Sequence, residues 1–125
     1  MKTRYAEVPG YQTKDGSEIR ELMHPGTHAY GRQSLAEAIV RPGQQTLLHR
    51  HRESEELYHI TAGRGLMTLG DQTFNVATGD TIRMLPGTPH CLENNGDIPL
   101  HILCFCCPAY SHEDTELIAN FGSSS

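Results

Sequence analysis

Gly43-Gln44-Gln45-Thr46-Leu47-Leu48-His49-Arg50-His51-Arg52-Glu53-Ser54-Glu55-Glu56-Leu57-Tyr58-His59-Ile60-Thr61-Ala62-Gly63 is the stretch on which the reading of this chain turns. Glycines bound it at both ends, and two strand-like runs fill it, from about Gln45 to His51 and from Glu56 to Ala62. Side chains of a strand alternate between faces, so His49 and His51 project to one side with Arg50 on the other. Two imidazoles side by side are a natural pair of metal ligands. Glu56 opens the next run and adds a hard oxygen. Further on, His90 opens another strand directly after Pro86-Gly87-Thr88-Pro89. Three neutral nitrogens and one carboxylate suit one divalent transition metal, Fe, Mn, Ni, Cu, Co or Zn, with coordination positions left over for a substrate or oxygen.

Outward from this stretch the chain keeps the same rhythm. Gln33–Arg41 reads as a strand ended by Pro42-Gly43. Gly65–Leu69 and Gln72–Val76 flank Gly70-Asp71, a tight-hairpin signal. Thr81–Leu85 and His90–Asn94 follow, then Asn95-Gly96, then the most apolar run, Ile98–Cys106. Short runs with a turn signal every eight to twelve residues indicate an antiparallel sandwich or barrel. Ala36–Val40 has helical propensity, but its length and the flanking Pro favour a strand. Glu113 to Asn120 is expected to form one short helix begun near Ser111 or His112, followed by a frayed tail from Phe121.

Twelve Gly and seven Pro in 125 residues fit this turn-rich, all-β reading, and the length allows a single domain. A net charge of −5 leaves no basic face to neutralise phosphates, which argues against nucleic acid and anionic membranes as partners. The basic run His49-Arg50-His51-Arg52 is followed at once by Glu53, Glu55 and Glu56. No apolar run is long enough for a membrane helix, and residues 1–20 lack the apolar stretch of a signal peptide. The expectation is therefore a cytoplasmic protein whose Cys91, Cys104, Cys106 and Cys107 are free thiols.

The spacing of the glycine-bounded stretch resembles the first motif of the cupins: Gly43, five residues, His49-Arg50-His51, four residues, Glu56, six residues and Gly63. Gly79-Asp80, then Pro86-Gly87-Thr88-Pro89-His90, three residues and Asn94 are similar to the second. One position departs: the family has Pro two residues before the glycine, where this chain has Leu85. The resemblance implies a double-stranded β-helix, a jelly-roll barrel, with the metal held inside by His49, His51, Glu56 and His90. Glu55 is the rival for the carboxylate, and the spacing to Gly63 favours Glu56. On this reading residues 1–32 are N-terminal edge and dimerisation strands and turns, 33–110 the barrel, and 111–125 the short helix and tail.

Other residues carry two readings each. Tyr58 and Ile60 share the parity of Glu56 and are candidates for a substrate pocket. So are Leu47 and Leu92, with plain core packing as the other reading. Glu37 is either a solvent-facing residue or a pocket carboxylate. Asn94 reads as a strand-end hydrogen-bonder and the cysteine cluster as small apolar packing. The resemblance implies a metal-dependent enzyme of dioxygenase, isomerase or lyase type acting on a small oxygen-bearing organic molecule. The alternative is a non-catalytic small-molecule or sugar-binding module. Exposed sheet edges and an apolar outer face point to a homodimer.

Overall fold

The alternation read along the chain becomes two sheets in the computed structural model, which describes residues 1–119. Its strands are β1 (Gly10–Gln12), β2 (Glu18–Met23), β3 (Ser34–Val40), β4 (His49–His51), β5 (Glu55–Ala62), β6 (Arg64–Leu69), β7 (Gln72–Ala77), β8 (Thr81–Met84), β9 (His90–Glu93), β10 (Leu100–Cys107) and β11 (Thr115–Leu117). One sheet has the order β1-β2-β3-β10-β5-β8 and the other β11-β4-β9-β6-β7. The named ladders are antiparallel, and β6 and β7 pair across the Gly70-Asp71 hairpin. This is an all-β double-stranded β-helix, a jelly-roll barrel.

Strand periodicity decides how the barrel fills. Inward residues of β3 and β10 stand opposite each other in register: Val40 with Leu100, Ala38 with Ile102, Ala36 with Cys104, Ser34 with Cys106. At the Val40 end these side chains are large and meet Ile60, Met67 and Leu92 in a fully buried core. Each such Leu or Ile contributes about 1.5–3 kcal/mol by leaving water. Toward Ser34 and Cys106 the inward side chains become small. The facing sheets then cannot meet, and a cavity opens there. Cys104 and Cys106 of β10 are thus among the small side chains that keep this end of the barrel hollow.

Two turns explain why the glycine positions matter. Gly63, between β5 and β6, has φ +86°, and a Cβ there would lie 2.9 Å from the Pro99 carbonyl oxygen. Gly87 has φ +83°, and its N–H donates to the His51 carbonyl at 2.7 Å, tying the β8–β9 turn to β4. Asn94 is buried, donates to the Val40 and Ile98 carbonyls, and accepts from the Gly96 N–H, which locks the end of β9.

The expected C-terminal helix is corrected. Ser111 does begin a turn, accepting from the Asp114 N–H and from the Thr115 hydroxyl. The turn is not continued: Thr115–Leu117 pairs with His51–His49 as strand β11. Pairing with an open sheet edge outweighs the weak local preference for helix. Asn120 and the tail from Phe121 lie outside the described residues.

Candidate metal centre

His49 and His51 leave β4 on one face, as their spacing requires, and both are buried at 2% and 4% exposure. His90, first residue of β9 and 1% exposed, stands beside His49 in the β4–β9 ladder. Glu56 reaches them from β5 in the opposite sheet and is 5% exposed. Each of the four offers one donor atom, and those atoms all lie within 4.8 Å of one another. Glu56 Oε1 is 3.0 Å from His51 Nε2 and 3.3 Å from His90 Nε2. Glu55, the rival carboxylate, is exposed on the other face of β5.

The far side of each ring settles which nitrogen points inward. His49 Nδ1 donates to the Leu47 carbonyl at 2.7 Å and His90 Nδ1 to the Thr88 carbonyl at 3.0 Å. A carbonyl only accepts, so each Nδ1 carries the proton. His51 Nδ1 lies 2.9 Å from the Thr115 hydroxyl oxygen, whose own hydrogen is given to the Ser111 carbonyl at 2.8 Å. That oxygen therefore accepts from His51. In the neutral rings the Nε2 lone pairs of His51 and His90 then face the same Glu56 oxygen, and His49 belongs to the same tight group. His90 Nε2 is buried without a hydrogen-bond partner among the described residues. Lone pairs facing an anion in a desolvated site repel unless a cation sits among them. A divalent metal ion fits this donor set, and the outer hydrogen bonds supply the orientation that metal-bound His residues need.

The electrostatics point the same way. Burial, together with the neighbouring His90, lowers the His49 imidazole from its ordinary value, against a raising pull from Asp15. Burial also lowers His51, but the hydrogen bond and charge of Glu56 outweigh it and leave His51 raised. For Glu56 burial acts upward, and the neighbouring His51 and His90 imidazoles overcome it, holding the carboxyl below the usual carboxylate range. Cys106 Sγ donates to Glu56 Oε2 at 3.3 Å, so Oε1 is the oxygen left to face the imidazoles.

The cavity beside these residues is small, about 40 Å³; one water needs roughly 10–15 Å³ by such a measure. Tyr58 and Leu92 line it, and the Tyr58 ring meets the His90 ring edge-on at 5.8 Å. Three other pocket candidates lie away from the cavity, Ile60 and Glu37 in the other of the two readings each carried. Leu47 is 51% exposed, because regular strand begins only at His49 and the alternation is broken before it; Thr46 lines the cavity instead. Ile60 faces inward but lies in the filled part of the barrel, where it is core. Glu37 takes the outer face of β3, bonded by the Tyr5 hydroxyl and by His101 Nδ1.

The turn-rich N-terminus supplies wall residues that no motif announced. Asp15 lies on the turn before β2. The Ser17 N–H and hydroxyl both bind its Oδ1, at 3.0 and 2.7 Å, which leaves Oδ2 3.6 Å from His49 Nε2. Tyr11, Glu21 and Tyr110 complete that side. The one signal available for them was strand parity in residues 17–21, too short a run to interpret before its partner strand was known.

Comparison with known proteins gives three kinds of match. A family model described as a cupin domain matches residues 36–106. An uncharacterized protein of Methanocaldococcus jannaschii is 57% identical, covering 94% of this chain and 94% of its own. Protein SchB of Streptomyces halstedii is 29% identical over 90% of this chain and 84% of its own. Among solved structures, a predicted oxalate decarboxylase from Thermotoga maritima aligns with a TM-score of 0.77 at 22% identity, over 86% of this chain and 99% of that one.

Proposed function

The chain belongs to the cupin family, and we propose that it is a metal-dependent enzyme acting on a small oxygen-bearing organic molecule. One divalent transition metal, from the series Fe, Mn, Co, Ni, Cu and Zn, is held by His49, His51, Glu56 and His90. The observation that carries this reading is the clustering of three oriented imidazoles with one buried carboxylate, the Nε2 atoms of His51 and His90 both facing Glu56 Oε1. When bound, such an ion polarises a substrate oxygen as a Lewis acid, which serves dioxygenase, isomerase and lyase chemistry alike.

The chain's own residues do the rest. Leu92, Ile102 and the small side chains of β3 and β10 line the cavity beside the ligands. Thr115, Leu47 and Thr88 hold the imidazoles in one tautomer. Asp15, on the mouth side, is a carboxylate within reach of a bound molecule's proton. The wild-type protein, reconstituted in turn with each metal, tests the enzymatic reading against panels of small hydroxy acids, hydroxy ketones and phenols. Turnover that depends on the ion supports it. Tight ligand binding with no turnover under any metal contradicts it, and leaves a non-catalytic binding module.

The same reading includes a cytoplasmic homodimer. No helix among the described residues is long and apolar enough to cross a membrane. Leu57 and Phe105 are cross-strand neighbours on the outer face of the six-stranded sheet, and both are exposed. Pairing of two copies over this face removes them from water. Light scattering at micromolar concentration checks it, and a monomer there contradicts it.

A further inference from the structure

β2 turns a carboxylate into the cavity, and one of its two oxygens has no partner among the described residues. Ser17, Ile19 and Glu21 alternate inward along it, and all three line the cavity. Glu21 stands beside Ala36 in the β2–β3 ladder, next to a register shift between Glu21 and Met23. Irregularities of this kind re-aim side chains near functional sites. The Tyr11 hydroxyl donates to Glu21 Oε1 at 2.8 Å. Oε2 is buried and has no hydrogen-bond partner among the described residues. A buried acceptor left unpaired is costly, so such atoms in a cavity wall mark places where a ligand's donor completes the bond.

The charge of the wall narrows what that ligand is. Asp15, Glu21 and Glu56 line the cavity, and among the described residues no Lys or Arg does. One divalent ion against three carboxylates leaves a formal excess of negative charge. A dicarboxylate would add two more in a desolvated space, where like charges repel strongly. An uncharged molecule with hydroxyl groups adds none.

We propose that Glu21 Oε2 accepts a hydroxyl hydrogen from the molecule bound in this cavity, and that the protein's ligand is an uncharged, hydroxyl-bearing small molecule rather than a dicarboxylate. This rests on the metal-centre reading: the ion takes one end of the molecule and Glu21 the other.

Three probes of similar size test it. Dihydroxyacetone carries a hydroxy-carbonyl end for the ion and a second hydroxyl for Glu21; hydroxyacetone lacks that second hydroxyl; oxalate is the dianion. Binding is followed by calorimetry and by the visible spectrum of the cobalt-loaded protein, for wild type, Glu21→Gln and Glu21→Leu. Elemental analysis and thermal melts establish that all three proteins are loaded and folded. Wild type is expected to bind dihydroxyacetone about tenfold more tightly than hydroxyacetone, the effect of one hydrogen bond to a charged acceptor. Glu21→Leu erases that difference, Glu21→Gln keeps part of it, and both variants bind oxalate more tightly than wild type does. Preference of the wild type for oxalate, or a tenfold difference that survives in Glu21→Leu, overturns the proposal. If none of the proteins takes up metal, the metal-centre reading fails separately. Calorimetry on the metal-free pair then still reads the Glu21 contribution, and equal affinities of wild type and Glu21→Leu for dihydroxyacetone overturn it.

Discussion

The floor of the cavity and its N-terminal wall are built differently. The floor is His49, His51, Glu56 and His90, four almost fully buried side chains on three strands, each with a second partner that fixes its direction. The wall is the β1–β2 hairpin with the Thr13–Ser17 turn, where Tyr11 is exposed and Glu21 half-buried. The floor presents one geometry, suited to an ion that demands fixed donors. The wall lies at a sheet edge, where side chains can change without disturbing the ladder that carries the ligands. The proposed function assigns affinity for the ion to the first region and choice of substrate to the second.

This division is broken most directly from outside the ligand set. Thr115→Val leaves all four ligands in place and removes the acceptor that holds His51 Nδ1, along with that hydroxyl's bond to the Ser111 carbonyl. Metal affinity should fall by roughly 10–100-fold, measured by competition with a chelator. An unchanged affinity would mean that β4 alone orients His51.

pH gives a graded test. Glu56 raises His51 despite its burial, so in the metal-free protein a proton occupies Nε2 above the ordinary imidazole range. The stability from that protonation is fully present below the ordinary value and is lost as pH rises through the raised one. The ion replaces the proton, so the gap in Tm between loaded and metal-free protein should widen from about pH 5.5 to about pH 8. A gap that narrows over that range contradicts proton–metal competition at this site.

The smallest effect belongs to the wall. Asp15→Asn keeps the size and the Ser17 contacts but removes the charge near His49. Metal affinity should change by less than about threefold, the effect of one charge that lies beside the ligands without bonding to them. Loss of the metal on this substitution would move Asp15 into the ligand set and erase the contrast between floor and wall.

The two regions also differed in what could be read before the fold was known. His49, His51, Glu56 and His90 were legible because strand alternation and glycine-bounded turns fix their directions locally. Leu47 was misread because parity was carried one turn too far back, past the point where β4 becomes regular. Ile60 shows a second limit: facing inward does not distinguish core from cavity, which depends on the size of the residues opposite. The hollow end was written in Ser34, Ala36, Cys104 and Cys106, but only the β3–β10 register reveals that these small side chains face each other. Glu21 and Asp15 were not legible, since their placement depends on how a short hairpin docks against β3. The C-terminal helix failed because a sheet edge competed for the same residues.

The most direct test of the account is elemental analysis of untagged wild-type protein beside a His49→Ala, His51→Ala double variant, both checked for folding. About one equivalent of Fe, Mn, Co, Ni, Cu or Zn per wild-type chain, absent from the variant, is the predicted result. A wild-type protein that stays metal-free after anaerobic reconstitution, or a variant that retains the full equivalent, contradicts it.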